Sequence, residues 1–171
     1  MRLSLGGLPD VNVSDRITRD VGWVADRWLR ELRAGRAFGG FASVGAGAGV
    51  QGHAQLFNPV GSGITVIVYR VYLTVLTTTS ILMSHYNTAL TTLATTTRNM
   101  LSGGTAPVAE VRSQTNTGSF GSLFWRSDLT ASTGFNIGIE WLSELGAGEG
   151  LVILCGNNNT EMNGSYFWIE I

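Results

Sequence analysis

The stretch GITVIVYRVYLTVL, residues 63–76, indicates the fold class of this chain. β-Branched and aromatic residues alternate along it, which is the composition and period of a β-strand. The segment is long enough to run the full height of a sheet. Arg70 and several threonines interrupt its apolar run, and no other run in the chain approaches 18 apolar residues, so we expect no transmembrane helix.

Further segments of the same character lie on either side, separated by turn sequences rich in Gly, Asn and Pro. These segments are residues 53–58, 80–86, 107–112, 122–126, 134–142, 150–156 and 164–171. The Thr-rich residues 87–101 are compatible with a short helix, a strand or an irregular loop. About eight antiparallel strands with such turns predict an all-β fold, an antiparallel jelly-roll-like β-sandwich.

The N-terminal region differs, because residues 14–34 have the apolar period of an amphipathic helix. Ser14 is a candidate N-cap, and Gly35 follows the last turn. The apolar stripe consists of Ile17, Val21, Val24, Trp28 and Leu32. Such a stripe needs a partner surface, either on its own domain or on another protein.

Residues 35–52 contain seven glycines and are expected to form a flexible hinge. Gly47, Gly49 and Gly52 have the G-x-G-x-x-G spacing, but no buried strand precedes them and no helix follows, so a dinucleotide site is not expected. The predicted organisation is an N-terminal arm (1–34), a Gly-rich linker (35–52) and a sandwich domain (53–171). A helix beyond a tether favours docking on another chain.

Charge is sparse and nearly balanced. Charged residues make up 13% of the chain and the net charge is −1, against about 25% charged in an average globular protein. This balance gives no electrostatic argument for nucleic-acid binding. Residues 37–171 carry only eleven charged side chains, which suggests that neighbouring subunits cover part of the surface. The N-terminus lacks the apolar region of a signal peptide, so we expect synthesis in a cytoplasm.

The residues with reactive side chains form no recognisable catalytic motif. His53 and His85 are the only histidines, and Asp128 has no nucleophile motif near it. Cys155, the only cysteine, lies within LVILCG and is expected to be a small buried apolar residue. We therefore predict no enzyme activity, no cofactor and no metal site.

Aromatic residues concentrate in the last predicted strand, SYFWIEI. Tyr166 and Trp168 share one face of this strand, and Phe167 and Ile169 share the other. One of the two faces must belong to the core. Tyr166 and Trp168 are predicted to form an oligomer interface, with a sugar-stacking platform as the alternative.

The sequences HAQLFNPVGSGITVIVYRVYL (53–73) and GAGEGLVILCGNNNTEMNGSYFWIEI (146–171) resemble a group of small tailed-bacteriophage virion proteins. The matching positions are Gln55, Leu56, Asn58, Pro59, Gly61, Ser62, Gly63, Gly148, Glu149, Gly150, Leu151, Trp168 and Glu170. Ala147 stands where that group has proline. The resemblance covers residues 53–171 and leaves the N-terminal helix unmatched.

The resemblance implies a non-enzymatic structural protein of a phage virion: a capsid decoration, head-fibre or tail-appendage subunit. Such modules are typically homotrimers, made in the host cytoplasm and bound to capsid, portal or tail proteins. The competing interpretation is a carbohydrate-binding module that recognises host-surface glycans. The position on the virion is left open by the sequence.

Overall fold

The computed structural model describes residues 28–45, 47–94, 96–129, 134–137 and 143–171, and it shows an all-β fold. The strands are β1 (Ala37–Val44), β2 (Gln51–Phe57), β3 (Val66–Val75), β4 (Thr79–His85), β5 (Thr92–Leu93), β6 (Arg98–Asn99), β7 (Glu110–Asn116), β8 (Ser122–Leu129), β9 (Gly134–Ile137), β10 (Ser143–Leu145), β11 (Gly150–Cys155) and β12 (Met162–Glu170). Residues 28–33 form a helical segment before β1.

These strands build two antiparallel sheets. Sheet I has the order β10-β3-β12-β1-β6, with β9 also paired to β3, and sheet II has the order β5-β7-β2-β11-β4-β8. Early strands pair with late ones: β1 with β12, β2 with β11, β3 with β9 and β10, and β4 with β8. A paired ribbon wrapped into two sheets in this order is a jelly roll. The predicted antiparallel β-sandwich is confirmed.

The core lies between the two sheets and draws apolar side chains from both. In β3 the alternation changes phase at a bulge, where Arg70 pairs with Phe167 and Val68 pairs with Trp168, leaving Tyr69 without an opposite residue. Because of this extra residue, Val68 and Val71 both face the core and are fully buried. In a regular strand, residues three positions apart would point to opposite faces. The bulge also brings Tyr69 and Arg70 to the outer face of sheet I.

The prediction of a hinge over residues 35–52 is wrong for Ala37–Val44, which form β1 between β12 and β6. The sandwich therefore begins at residue 37 rather than 53. A Cβ atom at Gly40 would lie 3.0 Å from methyl carbons of Thr97 and Val111 and 3.2 Å from the Cα of Thr97. Gly40 therefore allows β1 to pack closely against Thr97 and Val111, whereas the sequence predicted that the glycines make this segment flexible.

The Thr-rich residues 87–101 contain the short strands β5 and β6 within irregular backbone. The strand-or-loop alternative is thus the correct one for the described part of this segment. Leu90 is buried, and β6 pairs with β1 through Phe38 and Gly39.

The helical segment 28–33 ends as its sequence predicts, at Gly35 with φ 72°. The Arg36 amide donates to the Glu31 carbonyl (2.9 Å) and the Gly35 amide donates to the Leu32 carbonyl (3.0 Å), the paired bonds of a Schellman C-cap. Trp28 stacks on Tyr69 of its own sheet at 4.5 Å between ring centres. For Trp28 the partner is therefore its own domain. Leu32 is half-buried, and Ile17, Val21 and Val24 lie outside the described residues.

Candidate functional site

Three polar residues of the sequence resemblance are buried and support loops. Gln55 donates from Nε2 to the carbonyls of Tyr86 (3.2 Å) and Thr88 (3.1 Å), and its Oε1 accepts from the Leu90 amide (2.8 Å). Its side chain thereby satisfies the backbone that follows β4. Gln55 thus has a structural role.

Asn58 and Glu170 act in the same way at other loops. Asn58 Nδ2 donates to the Ile64 carbonyl (2.9 Å) and to the carbonyl of Leu145 (3.1 Å). Glu170 Oε1 accepts from the amide of Ala109 (2.9 Å) and from the indole of Trp168 (3.1 Å). Gln55, Asn58 and Glu170 therefore hold loop backbone in place.

Tyr166 and Trp168 lie in the core, so the prediction that they form an interface or a sugar platform is wrong. Both are 0% exposed. The Tyr166 hydroxyl donates across the sandwich to the Ala54 carbonyl (2.8 Å), and Trp168 stacks near Phe38 at 6.0 Å. Burial raises the pKa of Tyr166 well above its ordinary value. The Tyr166 hydroxyl and the Trp168 indole nitrogen both have hydrogen-bond partners inside the protein. Tyr166 and Trp168 therefore lie on the inner face of sheet I, and Phe167 lies on its outer face.

The outer face of sheet I carries an aromatic groove, formed by two adjoining hollows of about 180 Å³ each. We define the aromatic groove by Trp28, Phe41, Tyr69, Arg70, Tyr72, Met100 and Phe167. Met100 and Phe167 line both hollows, which makes the groove continuous. Phe41 is 48% exposed and Met100 46% exposed.

Ring contacts fix the groove floor. Tyr72 meets Phe167 edge to face at 5.5 Å between ring centres. Arg70 Nη1 donates to the Tyr72 hydroxyl at 2.9 Å, and the guanidinium carbon lies 5.7 Å from the centre of that ring. Arg70 is the one charged residue that lines the groove among the described residues.

Two neighbouring apolar residues are exposed on β8, which forms one edge of sheet II. Leu123 is 47% exposed and Phe124 is 48% exposed. The Phe124 ring contacts the His85 ring at 4.9 Å. We name Leu123 and Phe124 the edge patch.

The outer face of sheet II contains a hollow of about 330 Å³ with a mainly polar lining, which we name the polar pocket. Its lining residues are Gln51, Ser80, Leu82, Gly118, Ser119, Arg126, Leu154, Gly156 and Asn157. At one side Arg126 Nη2 donates to the Ser80 hydroxyl (2.9 Å), and that hydroxyl donates to Asp128 Oδ1 (2.6 Å). The Ser80 hydrogen bond, followed by the Arg126 charge, holds the pKa of Asp128 below its ordinary value.

The remaining reactive side chains are engaged or buried. His53 lies fully buried beneath Phe120, with its Nδ1 3.1 Å from the Gln51 carbonyl, and burial lowers its pKa. Burial raises the pKa of the Cys155 thiol to about 12. His85 is exposed, and its Nε2 lies 3.4 Å from the Ser143 hydroxyl.

Within the described ranges, no three His, Cys, Asp or Glu side chains come together as a metal site. Over the same residues, none of the helical structure is long and apolar enough to cross a membrane.

Comparison of the chain with protein-family models, with curated proteins and with solved structures finds no match. The resemblance to phage virion proteins therefore depends on the motif residues alone. The structure adds that Gln55, Asn58 and Glu170 among them hold the loops of the jelly roll.

Sequence reasoning missed both outer-face surfaces. The aromatic groove combines side chains from separate segments of the chain, and so does the polar pocket. One local signal was present for the groove: Tyr69, Arg70 and Tyr72 interrupt the Val-rich alternation of β3.

Proposed function

We propose that this chain is a non-enzymatic structural subunit of a tailed-phage virion, a capsid decoration, head fibre or tail appendage, that assembles as a homotrimer. The motif resemblance over residues 53–171 supports the virion role. The jelly roll is compatible with it, since viral capsid domains use this architecture. The observation that carries the assembly role is the exposed aromatic groove on sheet I, which no described segment of the chain covers.

The occupant of the groove in this proposal is a second copy of the chain. A threefold ring is built from a heterologous interface, in which two different patches of the same chain meet. The chain offers two such patches, the aromatic groove on the outer face of sheet I and the edge patch on β8 of sheet II. Leu123 and Phe124 bring no charge to the contact, and Arg70 keeps its hydrogen bond to the Tyr72 hydroxyl at the groove.

The expected interface resembles an obligate one, on the order of 2,000 Å² of total buried surface. Aromatic side chains and Met are the types enriched at interface centres. Phe41 and Met100 are each nearly half exposed in the single chain, so they supply the area that assembly removes from water.

The N-terminal arm is the proposed anchor to capsid, portal or tail proteins. Residues 1–27 join the described chain at Trp28, which lies in the aromatic groove. The predicted stripe residues Ile17, Val21 and Val24 would provide the apolar contact with that partner.

The non-enzymatic part of the proposal is supported by what the reactive side chains do. His53 is buried beneath Phe120, and the Cys155 thiol has a pKa of about 12 that keeps it protonated near neutral pH. Neither side chain is available to a substrate in the folded chain.

The assembly proposal is tested by placing charge in each patch and measuring mass by light scattering. We expect Phe41→Glu and Leu123→Glu each to convert the trimer into a monomer with an unchanged circular dichroism spectrum. Thr74→Glu, on the outer face of β3 and also exposed, is the matched control and should stay trimeric.

Mixing the two monomeric variants provides the sharper test. Phe41→Glu keeps an intact edge patch and Leu123→Glu keeps an intact groove, so one functional interface remains and a two-chain species should form. A mixture that stays monomeric, or single variants that keep the wild-type mass, would refute the groove-to-edge interface.

The virion role is tested separately, by mass spectrometry of purified particles of the phage that encodes this chain. We expect the chain in particles, in copy numbers divisible by three. Its absence from particles, together with abundance in the infected-cell extract, would contradict the virion role while leaving the assembly result intact.

A further inference from the structure

The polar pocket on sheet II is preformed and offers both hydrogen-bond donors and hydrogen-bond acceptors. Leu82 and Leu154 provide apolar surface, while Ser80, Arg126 and Asn157 provide polar groups. Its volume of about 330 Å³ falls at the lower end of the ~300–1,000 Å³ range of small-molecule pockets. A ligand of one ring fits that size.

Hydrogen bonds to the backbone hold the rim of the pocket in place. Gln51 Nε2 donates to the Gly156 carbonyl (2.8 Å), and Asn157 Nδ2 donates to the Thr78 carbonyl (3.0 Å). The Asn157 amide also donates to the Thr79 hydroxyl (3.2 Å). These bonds join the turn after β11 to β2 and to the start of β4, so little ordering is required when a ligand binds.

The charged groups at the pocket select for a neutral ligand. Arg126 Nη2 lies 3.5 Å from Asp128 Oδ1, and the side chains are 66% and 77% exposed. Arg126 offers only donors and the Asp128 carboxylate offers only acceptors. Arg126 lines the pocket, whereas Asp128 stands beside it and accepts from the Ser80 hydroxyl. A sugar hydroxyl both donates and accepts, so neighbouring hydroxyls can accept from Arg126 and donate to the Asn157 side-chain oxygen. Because the opposite charges of Arg126 and Asp128 lie close together, the pair offers little net attraction to an ionic ligand of either sign.

From this arrangement we infer that the polar pocket binds a neutral saccharide ring through its hydroxyl groups, with Ser80, Arg126 and Asn157 as the polar contacts. This inference goes beyond the proposed assembly role and does not depend on it. The pocket lies on the outer face of sheet II and the aromatic groove lies on the outer face of sheet I. The polar pocket and the aromatic groove are therefore on different sheets, whereas the edge patch shares strand β8 with Arg126.

The test is a titration of the full-length chain, followed by two-dimensional NMR, with D-glucose, D-galactose and D-mannose as probes. Concentrations up to ~50 mM detect contacts weaker than a Kd of ~1 mM. We expect at least one of these hexoses to shift the backbone signals of Ser80, Arg126 and Asn157. No shift with any of the three would overturn the inference.

Variants locate the site. Arg126→Ala should weaken binding at least tenfold, whereas Arg98→Ala, which removes another exposed guanidinium, should leave it unchanged. Phe41→Glu should also bind normally, which separates this site from the assembly groove. Equal binding by Arg126→Ala and the wild type would place the sugar elsewhere and overturn the inference. Tighter binding of N-acetylneuraminate or glucosamine than of the neutral hexoses would overturn the charge argument.

Discussion

Adding one methyl group at Gly40 tests whether β1 is a packed strand of the core. The new Cβ would lie 3.0 Å from the Thr97 and Val111 methyl carbons and 3.2 Å from the Thr97 Cα. Carbon atoms pack best at about 3.5–4.0 Å, so three contacts are too short by several tenths of an ångström. The methyl groups can turn aside, but the Cα belongs to the backbone. Overpacking of this kind costs about 1–3 kcal/mol.

The assay is urea unfolding followed by circular dichroism, with Gly45→Ala as the matched control. No atom lies within 4 Å of a Cβ at Gly45, so its free energy of unfolding should stay within about 0.5 kcal/mol of the wild type. Gly40→Ala should lower the midpoint clearly, with an unchanged slope. Equal stability of the two variants would mean that Gly40 is not closely packed, and it would refute the packing argument.

Three further predictions concern buried groups. Because burial lowers the pKa of His53 below its ordinary 6.5, the unfolded chain binds a proton before the folded one as pH falls. The free energy of unfolding should therefore decrease as pH drops through 6.5. In urea titrations at pH 7.5 and 5.5, His53→Gln should show a smaller difference between the two free energies of unfolding than the wild type. Equal differences would contradict this. The Cys155 thiol, with a pKa of about 12, should react with iodoacetamide at pH 8 only as fast as the chain opens, and rapid labelling of the folded chain would contradict its burial. Glu170→Gln replaces an acceptor of the Val108 and Ala109 amides with a group that also donates, so thermal unfolding should show a loss of about 1–3 kcal/mol; an unchanged melting temperature would contradict the loop-holding role.

The fold class could be read from the sequence because its strands have strong local signals. The Val-rich segment before and after Arg70 and the apolar run ending at Cys155 correspond to β3 and β11. The end of the helical segment was also predictable, since Gly35 satisfies a local backbone requirement.

The strand β1 could not be recognised in the same way. A glycine that permits close packing and a glycine that permits flexibility are the same letter in a sequence. What decides between them at Gly40 is contact with Thr97 and Val111, which are distant along the chain. For that reason the prediction of a hinge was wrong for Ala37–Val44.

The faces of β12 show a related limit. Alternation placed Tyr166 and Trp168 on one side and Phe167 on the other, but it could not say which side faces the core. The choice depends on partners from elsewhere: the Ala54 carbonyl for Tyr166 and the Phe38 ring for Trp168. Both candidate surfaces likewise combine residues that only the folded chain brings together.

The most direct test of the central claim is the mass of the unmodified chain in solution. One chain has a mass of 18.3 kDa, and light scattering at micromolar concentration should give three times that value. A mass of 18.3 kDa, constant from micromolar to about 0.1 mM, would show that the groove and the edge patch do not join copies of the chain. That result would contradict the assembly role on which the proposed function depends.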